Sequence, residues 1–224
     1  MWIDDINVDQ LVTAYGKLKS IKALGIGVQL NSDLRNDINE VLTNSMDDYL
    51  FENLVICDSS KLHVYLMPIL CDEYRFVESW SVHIPMDISY DEIKSTIVNY
   101  YQESFSEQPY RLNFKEVKIL DNKLCIILQS ADLETSHTLQ ALKDFTLNTL
   151  GFRIIARKPF EIRIHLGLWK NQTFDEFNLE IEDLIARLTK EYQESLKHIS
   201  LDGAKLLEHK TLFELREIEN CLVS

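Results

Sequence analysis

The sequence predicts an α+β fold of two interleaved lobes, with mixed or antiparallel strands, helices packed outside them and a central groove. Apolar residues recur at helical spacing in some segments and at strand spacing in others. These segments do not alternate strictly, as a parallel βαβ fold would require. The chain of 224 residues has only six Gly, four Pro and no low-complexity linker. A single domain spanning residues 1–224 is therefore predicted.

The first part of the chain begins with a helix outside the two lobes. We predict it over about residues 8–20, because apolar residues recur there at spacings of three and four. A strand at Leu24–Leu30 follows, and an Asn-Ser-Asp cap opens the next amphipathic helix. Strands at Leu54–Cys57 and Lys61–Leu70 are predicted to pair with each other around an Asp-Ser-Ser turn.

The second part continues the mixture of helices and strands. Ser89 and Glu92 have the spacing of a capping box, which predicts a helix to about Ser104. A later helix ends at Gly151, because glycine is favoured just beyond a helix end. The other predicted elements are a hairpin of Arg111–Leu120 and Lys123–Leu128, a long helix from about Phe174 to Leu196, and closing strands at Ile199–Leu207 and Leu212–Val223.

Two histidines, His83 and His165, stand in short apolar runs that we predict to be strands. The runs read Trp-Ser-Val-His-Ile-Pro-Met at 80–86 and Ile-Arg-Ile-His-Leu-Gly-Leu-Trp at 162–169. One histidine from each lobe would then face the shared groove. Because the unperturbed pKa of histidine lies near neutrality, one imidazole can be neutral while the other is charged. That combination suits acid/base catalysis.

The order of elements from about Leu24 onward, with its two histidine strands, resembles the 2H phosphoesterase superfamily, the RNA ligase/cyclic phosphodiesterase-like fold. Members carry one His-x-Thr/Ser motif in each of two duplicated lobes. The resemblance implies that His83 and His165 are the catalytic pair: one deprotonates the nucleophile and the other protonates the leaving oxygen. It implies a small phosphodiester substrate, such as a cyclic nucleotide, an oligonucleotide or an RNA end, and neither a metal nor a cofactor.

Two positions depart from the family pattern. Pro85 and Gly167 stand where the hydroxyl residues belong. Proline has neither a side-chain donor nor a backbone N–H, and Gly167 offers only its amide. Losing one such donor costs about 10²–10³ in rate. The alternative function is thus a catalytically inactive relative that binds a protein or senses a nucleotide, and a third is an unrelated α+β adaptor whose histidines are coincidental.

A further strand-like run, Leu-His-Val-Tyr-Leu at 62–66, makes His63 the alternative first histidine. Tyr65 stands two residues after it and carries a hydroxyl, on the same strand face. We rank His63 second because a capped helix follows His83 directly, as the family order requires. His198 begins a run, His-Ile-Ser-Leu, that matches the motif by letter. It follows the last helix, and we interpret that match as chance.

The residues beside the histidines are candidates for binding a substrate. Trp80 and Trp169 flank the two histidine runs and can stack a base. Arg163 ends the most basic stretch of the chain and can place positive charge near a phosphate. Tyr65 and the Gly167 amide complete the predicted substrate-binding set.

A nearby Gly-Ile-Gly run at 25–27 lacks the third glycine of a dinucleotide loop. We interpret it as a place where strands pack closely.

Composition limits the partners. The formal net charge of −13 argues against binding to long nucleic acid, but leaves a small nucleotide, an RNA end or a protein as partner. The acidic N-terminus predicts no signal peptide, and no apolar run is long enough for a bilayer. Four cysteines have neither zinc-site nor CxxC spacing, which favours reduced, buried thiols. We predict a cytoplasmic protein that binds no membrane.

Overall fold

A computed structural model describes residues 8–13, 17–73, 75–78, 80–104, 108–153, 160–170 and 179–218. The helices are α1 (Val8–Leu11), α2 (Ser32–Asn44), α3 (Asp48–Asn53), α4 (Tyr90–Ser104), α5 (Leu133–Asp144) and α6 (Leu179–Ser195). The strands are β1 (Ala23–Gln29), β2 (Leu54–Ile56), β3 (His63–Cys71), β4 (Tyr110–Leu120), β5 (Lys123–Ser130), β6 (Ile162–Trp169), β7 (Ile199–Leu201), β8 (Lys205–His209) and β9 (Leu215–Glu217). This mixture is the predicted α+β class.

The strands form one curled antiparallel sheet, in the order β7-β4-β5-β6-β3-β1-β8-β9. We call β3, β1, β8 and β9 the first lobe, and β7, β4, β5, β6 and β2 the second lobe. The pairing of β3 with β6 joins the two lobes. β5 lies on one edge of β6, and β2 and β3 share the other edge. The junction between the lobes is therefore the edge of β6, on which His165 stands.

Helix α6 shows how the helices cover this sheet. Its apolar stripe is buried and consists of Ile181, Leu184, Leu188 and Tyr192. The Tyr192 hydroxyl donates a hydrogen bond of 2.8 Å to the Ile38 carbonyl of α2. A buried phenol needs such a partner, and this one ties the two helices together. The predicted start of this helix near Phe174 lies outside the described residues.

Local signals set several helix ends as predicted. The Asn31 side chain accepts the Leu34 amide at 2.9 Å and caps α2. Ser89 and Glu92 form the capping box of α4, in which the Ser89 amide donates to Glu92 Oε2 at 3.1 Å. A π-helical turn, Phe145–Thr149, continues α5, and Gly151 follows it with a φ of +73°, a conformation that glycine adopts without strain.

The N-terminal helix is shorter than predicted, because it ends at Leu11 rather than near residue 20. Val12 and Leu18 form an isolated antiparallel bridge. The Thr13 amide donates to the Lys17 carbonyl at 2.7 Å, and the Thr13 hydroxyl accepts the Lys17 amide at 3.1 Å. A threonine that bonds the backbone in this way offers the chain an alternative to helix.

Two predictions about strands are wrong in pairing or length. β2 and β3 do not pair with each other, because β2 pairs with the far half of β6. The carboxylate of Asp58 accepts the Ser60 amide at 2.8 Å and opens a short 3₁₀ turn, which separates the two strands. The predicted strand 199–207 is divided into β7 and β8 near Gly203, whose φ is +49°.

The prediction of a strand around His83 is also wrong. In the segment 80–86, Ser81 alone forms an isolated bridge, with Phe152. The Ser81 hydroxyl accepts the amides of His83 and Ile84 at 2.9 and 3.0 Å. These bonds fold the segment into a turn. An apolar run alone does not distinguish such a turn from a strand.

Among the described residues, no helix has both the length and the apolar character needed to cross a membrane.

Candidate functional site

A pocket of about 270 Å³, part of it open to solvent, lies where β3, β6, β8 and β9 approach one another. Its polar side chains are three histidines, a tyrosine, a lysine and a cysteine, and its apolar side chains come from β9 and the loop before it. The lining residues are Cys57, Lys61, His63, Tyr65, His165, His209, Leu212, Phe213 and Leu215. The pocket therefore collects groups that can exchange protons from both lobes.

His63 and His165 are brought together by the junction of the lobes. Val64 pairs with Ile164 and Tyr65 with Arg163 across β3 and β6. His63 precedes Val64 and His165 follows Ile164, so the two histidines adjoin this pairing, and both line the pocket. The alternative first histidine of the sequence is thus the one that the fold places beside His165.

The tautomer of His63 follows from its partner. Its Nδ1 lies 2.6 Å from the Lys61 carbonyl oxygen, which can only accept, so Nδ1 carries the proton. Burial lowers the pKa of His63, although the bond to Lys61 and the charge of Glu217 oppose the change. The imidazole is therefore neutral near neutral pH, with the lone pair on Nε2. This is the form that a general base requires.

Tyr65 enters the pocket two residues after His63. Its ring lies against Gly25 of β1, where a Cβ atom would come within 2.4 Å of the ring and hydroxyl. Gly27 is equally constrained, because its Cβ would lie 2.5 Å from the Val64 carbonyl. Close strand packing at the Gly-Ile-Gly run is confirmed. The absence of a side chain on β1 makes room for the tyrosine ring.

Sequence analysis missed His209, the third histidine of the pocket. It is buried at the end of β8, and its Nε2 lies 3.2 Å from the Tyr65 hydroxyl. Its Nδ1 lies 3.4 Å from the Thr211 carbonyl oxygen. The signal was present in the run Lys-Leu-Leu-Glu-His at 205–209, where a histidine closes a strand. The strand predicted from the sequence ends at Leu207, two residues before this histidine.

Lys61 and Cys57 differ in what they can contribute. The Lys61 ammonium lies 3.6 Å from Glu214 Oε2, with both side chains about two-fifths exposed, so it is a positive charge at the pocket edge. Burial, and then the charge of Asp58, raises the pKa of the Cys57 thiol to about 12. A thiol that stays protonated is a poor nucleophile. Cys57 therefore lines the pocket without serving as a nucleophile.

Gly167 stands at the position of the second motif hydroxyl, and the structure fills the space beside it. A Cβ atom at Gly167 would lie 2.8 Å from Leu54 Cγ. Leu54 pairs with Trp169 and shares the sheet face of Gly167. A bulge in β6 separates Gly167, which pairs with Leu124, from His165, which pairs with Cys125, so the two residues lie on opposite faces. The bulge and Leu54 together keep a side chain at position 167 out of the pocket that His165 lines.

The first-ranked histidine, His83, lies elsewhere. It is exposed, its Nε2 is 3.3 Å from the Asn148 carbonyl, and it is not among the residues that line the pocket. A Cβ atom at Gly151 would lie 2.6 Å from the His83 ring, so the ring packs against the backbone at Gly151. The predicted pair of His83 and His165 is not brought together, because residues 80–86 form a turn instead of a strand.

The other predicted binding residues have structural contacts. Trp80 is buried, donates to the Ile84 carbonyl at 2.8 Å and packs on Phe152. Trp169 is buried beside Tyr49. Arg163 is buried with its guanidinium 4.3 Å from the Phe160 ring centroid. The structure brings Tyr65 into the pocket lining, but none of Trp80, Trp169 and Arg163.

Among the described residues, no group of three or more His, Cys, Asp or Glu side chains is arranged to hold a metal ion.

Comparisons with known proteins agree with this architecture. No protein-family model and no curated protein sequence matches the chain. Among solved structures, the conserved protein of unknown function ATU0111 from Agrobacterium tumefaciens is similar over 93% of this chain and 89% of its own, with a TM-score of 0.79 and 13% identity. A structure named phosphoesterase is similar over 88% and 96% of the two chains, with a TM-score of 0.53 and 11% identity.

The protein TT0787 of Thermus thermophilus has a TM-score of 0.50 and 12% identity, over 88% of this chain and 95% of its own. At these identities the likeness concerns the fold. The chain has the fold of the 2H phosphoesterases, and the resemblance seen in the sequence is confirmed at that level.

Proposed function

We propose that the protein is a phosphodiesterase that hydrolyses a small phosphodiester with His63 and His165 as its acid/base pair. The observation that carries the proposal is the placement of these two histidines, one from each lobe, across a single strand junction in one pocket. The phosphoesterase fold supports it. His63 replaces His83 in the role expected from the sequence.

The surroundings of His63 support its role as the base. His63 is neutral with its lone pair on Nε2, so it takes a proton from water as the water oxygen bonds to phosphorus. His165 gives a proton to the leaving oxygen as its bond to phosphorus breaks. The buried position of both imidazoles keeps bulk water from competing for these protons. The proposed substrate is a cyclic nucleotide or the end of an RNA or oligonucleotide, as the resemblance to the 2H phosphoesterases implies.

Turnover on a panel of 2′,3′-cyclic nucleotides, short 2′–5′ and 3′–5′ oligonucleotides and cyclic dinucleotides tests the proposal. We expect His63→Ala and His165→Ala each to lower kcat/KM by about 10²–10⁴, the usual contribution of a general acid or base. His83→Ala is the matched control and should retain the wild-type rate, because that side chain is exposed outside the pocket. Equal losses in all three variants, or wild-type protein without turnover on any substrate, would contradict it.

A second candidate is a binding module that recognises a phosphorylated ligand without cleaving it. The specific observation in its favour is at Gly167, where the second motif hydroxyl is missing and Leu54 fills the space beside the backbone. Binding of the panel by folded wild-type protein, without turnover, would favour this function over hydrolysis.

A further inference from the structure

We propose that His209 is a positioning residue that acts through Tyr65: it holds the Tyr65 hydroxyl for a phosphoryl oxygen and takes up a proton from solvent when the anion binds. The proposal deepens the proposed function and rests on it for the nature of the anion. It gives a role to a histidine that belongs to neither motif strand. It also provides a hydroxyl in a pocket whose second motif position is glycine.

The first step is the geometry of the pair. Tyr65 and His209 are both buried, line the same pocket as His63 and His165, and lie 3.2 Å apart from Oη to Nε2. Their rings meet edge to face with centroids 5.3 Å apart. The Tyr65 ring is also 6.1 Å from the His165 ring. The phenol is thus fixed between the third histidine and the histidine of the second lobe.

The second step is the direction of the hydrogen bond. The carbonyl of Thr211 can only accept, so Nδ1 of His209 carries a proton in the bond between them. In the neutral imidazole Nε2 then accepts, and Tyr65 donates its O–H to His209. With its proton so directed, Tyr65 presents lone pairs to an arriving anion.

The third step is the effect of an anion. A proton added at Nε2 of His209 reverses the bond: the imidazolium donates to the Tyr65 oxygen, and the Tyr65 O–H turns to a phosphoryl oxygen. Hydrogen bonds and charges that favour an anion in this way are strongest in a poorly hydrated site. Binding of the anion and protonation of His209 therefore favour each other.

The surroundings of His209 are compatible with this coupling. The described titratable or charged groups that face the pocket are Cys57, Lys61, His63, Tyr65 and His165. Four acidic groups lie nearby. Asp58 acts on Cys57, Glu217 acts on His63, and Glu214 lies 3.6 Å from Lys61. Glu208 is engaged by Lys94 and Arg216 at 2.8 and 2.9 Å. None of the described residues that line the pocket is itself acidic, so a bound anion adds negative charge inside the lining.

The experiment is calorimetric binding of sulfate, a divalent anion that does not titrate near neutral pH. Titrations in buffers of different ionisation enthalpy measure the protons taken up per sulfate bound. We expect wild type to bind more tightly as the pH falls and to take up protons. His209→Gln should take up about one proton fewer and retain affinity within about threefold, because the glutamine amide can donate to Tyr65 permanently.

Tyr65→Phe should bind sulfate about tenfold more weakly, the loss of one hydrogen bond to a charged group. His63→Gln and His165→Gln are the controls for the other two pocket histidines, and each should keep the part of the uptake that belongs to His209. Thermal unfolding confirms that each variant is folded. The proposal is overturned if His209→Gln takes up as many protons as wild type, if Tyr65→Phe binds equally well, or if wild type does not bind sulfate.

The outcomes separate this inference from the proposed function. If sulfate binding depends on His209 but the protein shows no turnover, the anion site is supported and the hydrolase function is contradicted. If turnover depends on His63 and His165 but His209→Gln does not change the proton uptake, the hydrolase function is supported and the role of His209 is contradicted.

Discussion

The two motif strands, β3 and β6, differ in whether the residue two places after the histidine is the bulky side chain or the glycine. On β3 the residue two places after the histidine is large, Tyr65, and its neighbour on β1 is Gly25. On β6 that residue is Gly167, and its neighbour on β2 is large, Leu54. In both places one bulky side chain fills the space left by one glycine. On β3 the filling group carries a hydroxyl, and on β6 it is apolar.

This difference makes the pocket asymmetric. The strands of the first lobe provide His63, Tyr65, His209 and the apolar Leu215, whereas β6 of the second lobe provides His165. A duplicated fold does not therefore imply duplicated chemistry. Any contact to phosphoryl oxygens must come largely from the first lobe and from Lys61 at the pocket edge.

The largest expected effect comes from emptying the space on β6. Leu54→Ala removes a fully packed leucine, and we expect the free energy of unfolding to fall by about 2–5 kcal/mol. Gly167→Thr alone should cost about 1–3 kcal/mol, because its side chain meets Leu54. In the double variant the threonine occupies the vacated space, so the two losses should be less than additive. Urea unfolding measures all three; strict additivity would show that Leu54 does not block the motif position.

A smaller effect compares the two glycines with the same substitution. At Gly25 the added Cβ would meet a ring held by both strands at 2.4 Å, and at Gly167 it would meet a leucine that can rotate at 2.8 Å. We expect Gly25→Ala to cost about 1–3 kcal/mol and Gly167→Ala clearly less. Midpoints of urea unfolding decide the order. An equal or reversed order would show that the Tyr65 ring moves as easily as Leu54.

The smallest effect concerns pH. Burial lowers the pKa of His63 from 6.5, so the folded protein keeps this imidazole neutral at pH values where the unfolded chain is protonated. Its contribution to stability is present above pH 6.5 and is lost as the pH falls through the unfolded and then the folded pKa. The free energy of unfolding of His63→Gln should therefore fall less than that of wild type between about pH 7 and about pH 5.

The matched control is His83→Gln, at the exposed histidine outside the pocket. Its pH profile of stability should follow that of wild type. If the pH profile of stability of His63→Gln also followed that of wild type, burial of His63 would not perturb its protonation. The acid limb of kcat/KM, where turnover is detected, should likewise lie below pH 6.5 and disappear in His63→Gln.

Local patterns predicted most of the fold. Helix caps at Asn31 and Ser89 are written in consecutive residues, and the structure has both. The hairpin of β4 and β5 turns at Asp121 and Asn122, which both have positive φ. Such signals are readable because each depends on residues that are neighbours in the chain. The α+β class followed from them.

The candidate pocket contains some of the residues that the sequence analysis names. His165, Tyr65 and the alternative His63 were among the candidates, and the pocket contains all three. His83 was ranked first because its apolar run and the capped helix behind it fitted the expected order of elements. That run forms a turn rather than a strand, because the hydroxyl of Ser81 accepts hydrogen bonds from two backbone amides. His209 was missed because nothing near it in sequence connects it with Tyr65.

By itself, then, the sequence determined the class of fold, the capped helices, the central hairpin and the strand that carries His165. Periodicity and capping depend on near neighbours, so they can be read without the structure. The tertiary structure alone decided that β2 and β3 share an edge of β6, that His63 rather than His83 lines a pocket with His165, and that Leu54 fills the space beside Gly167. Strand pairing joins residues about a hundred positions apart, and its register is set by the packing of the whole sheet.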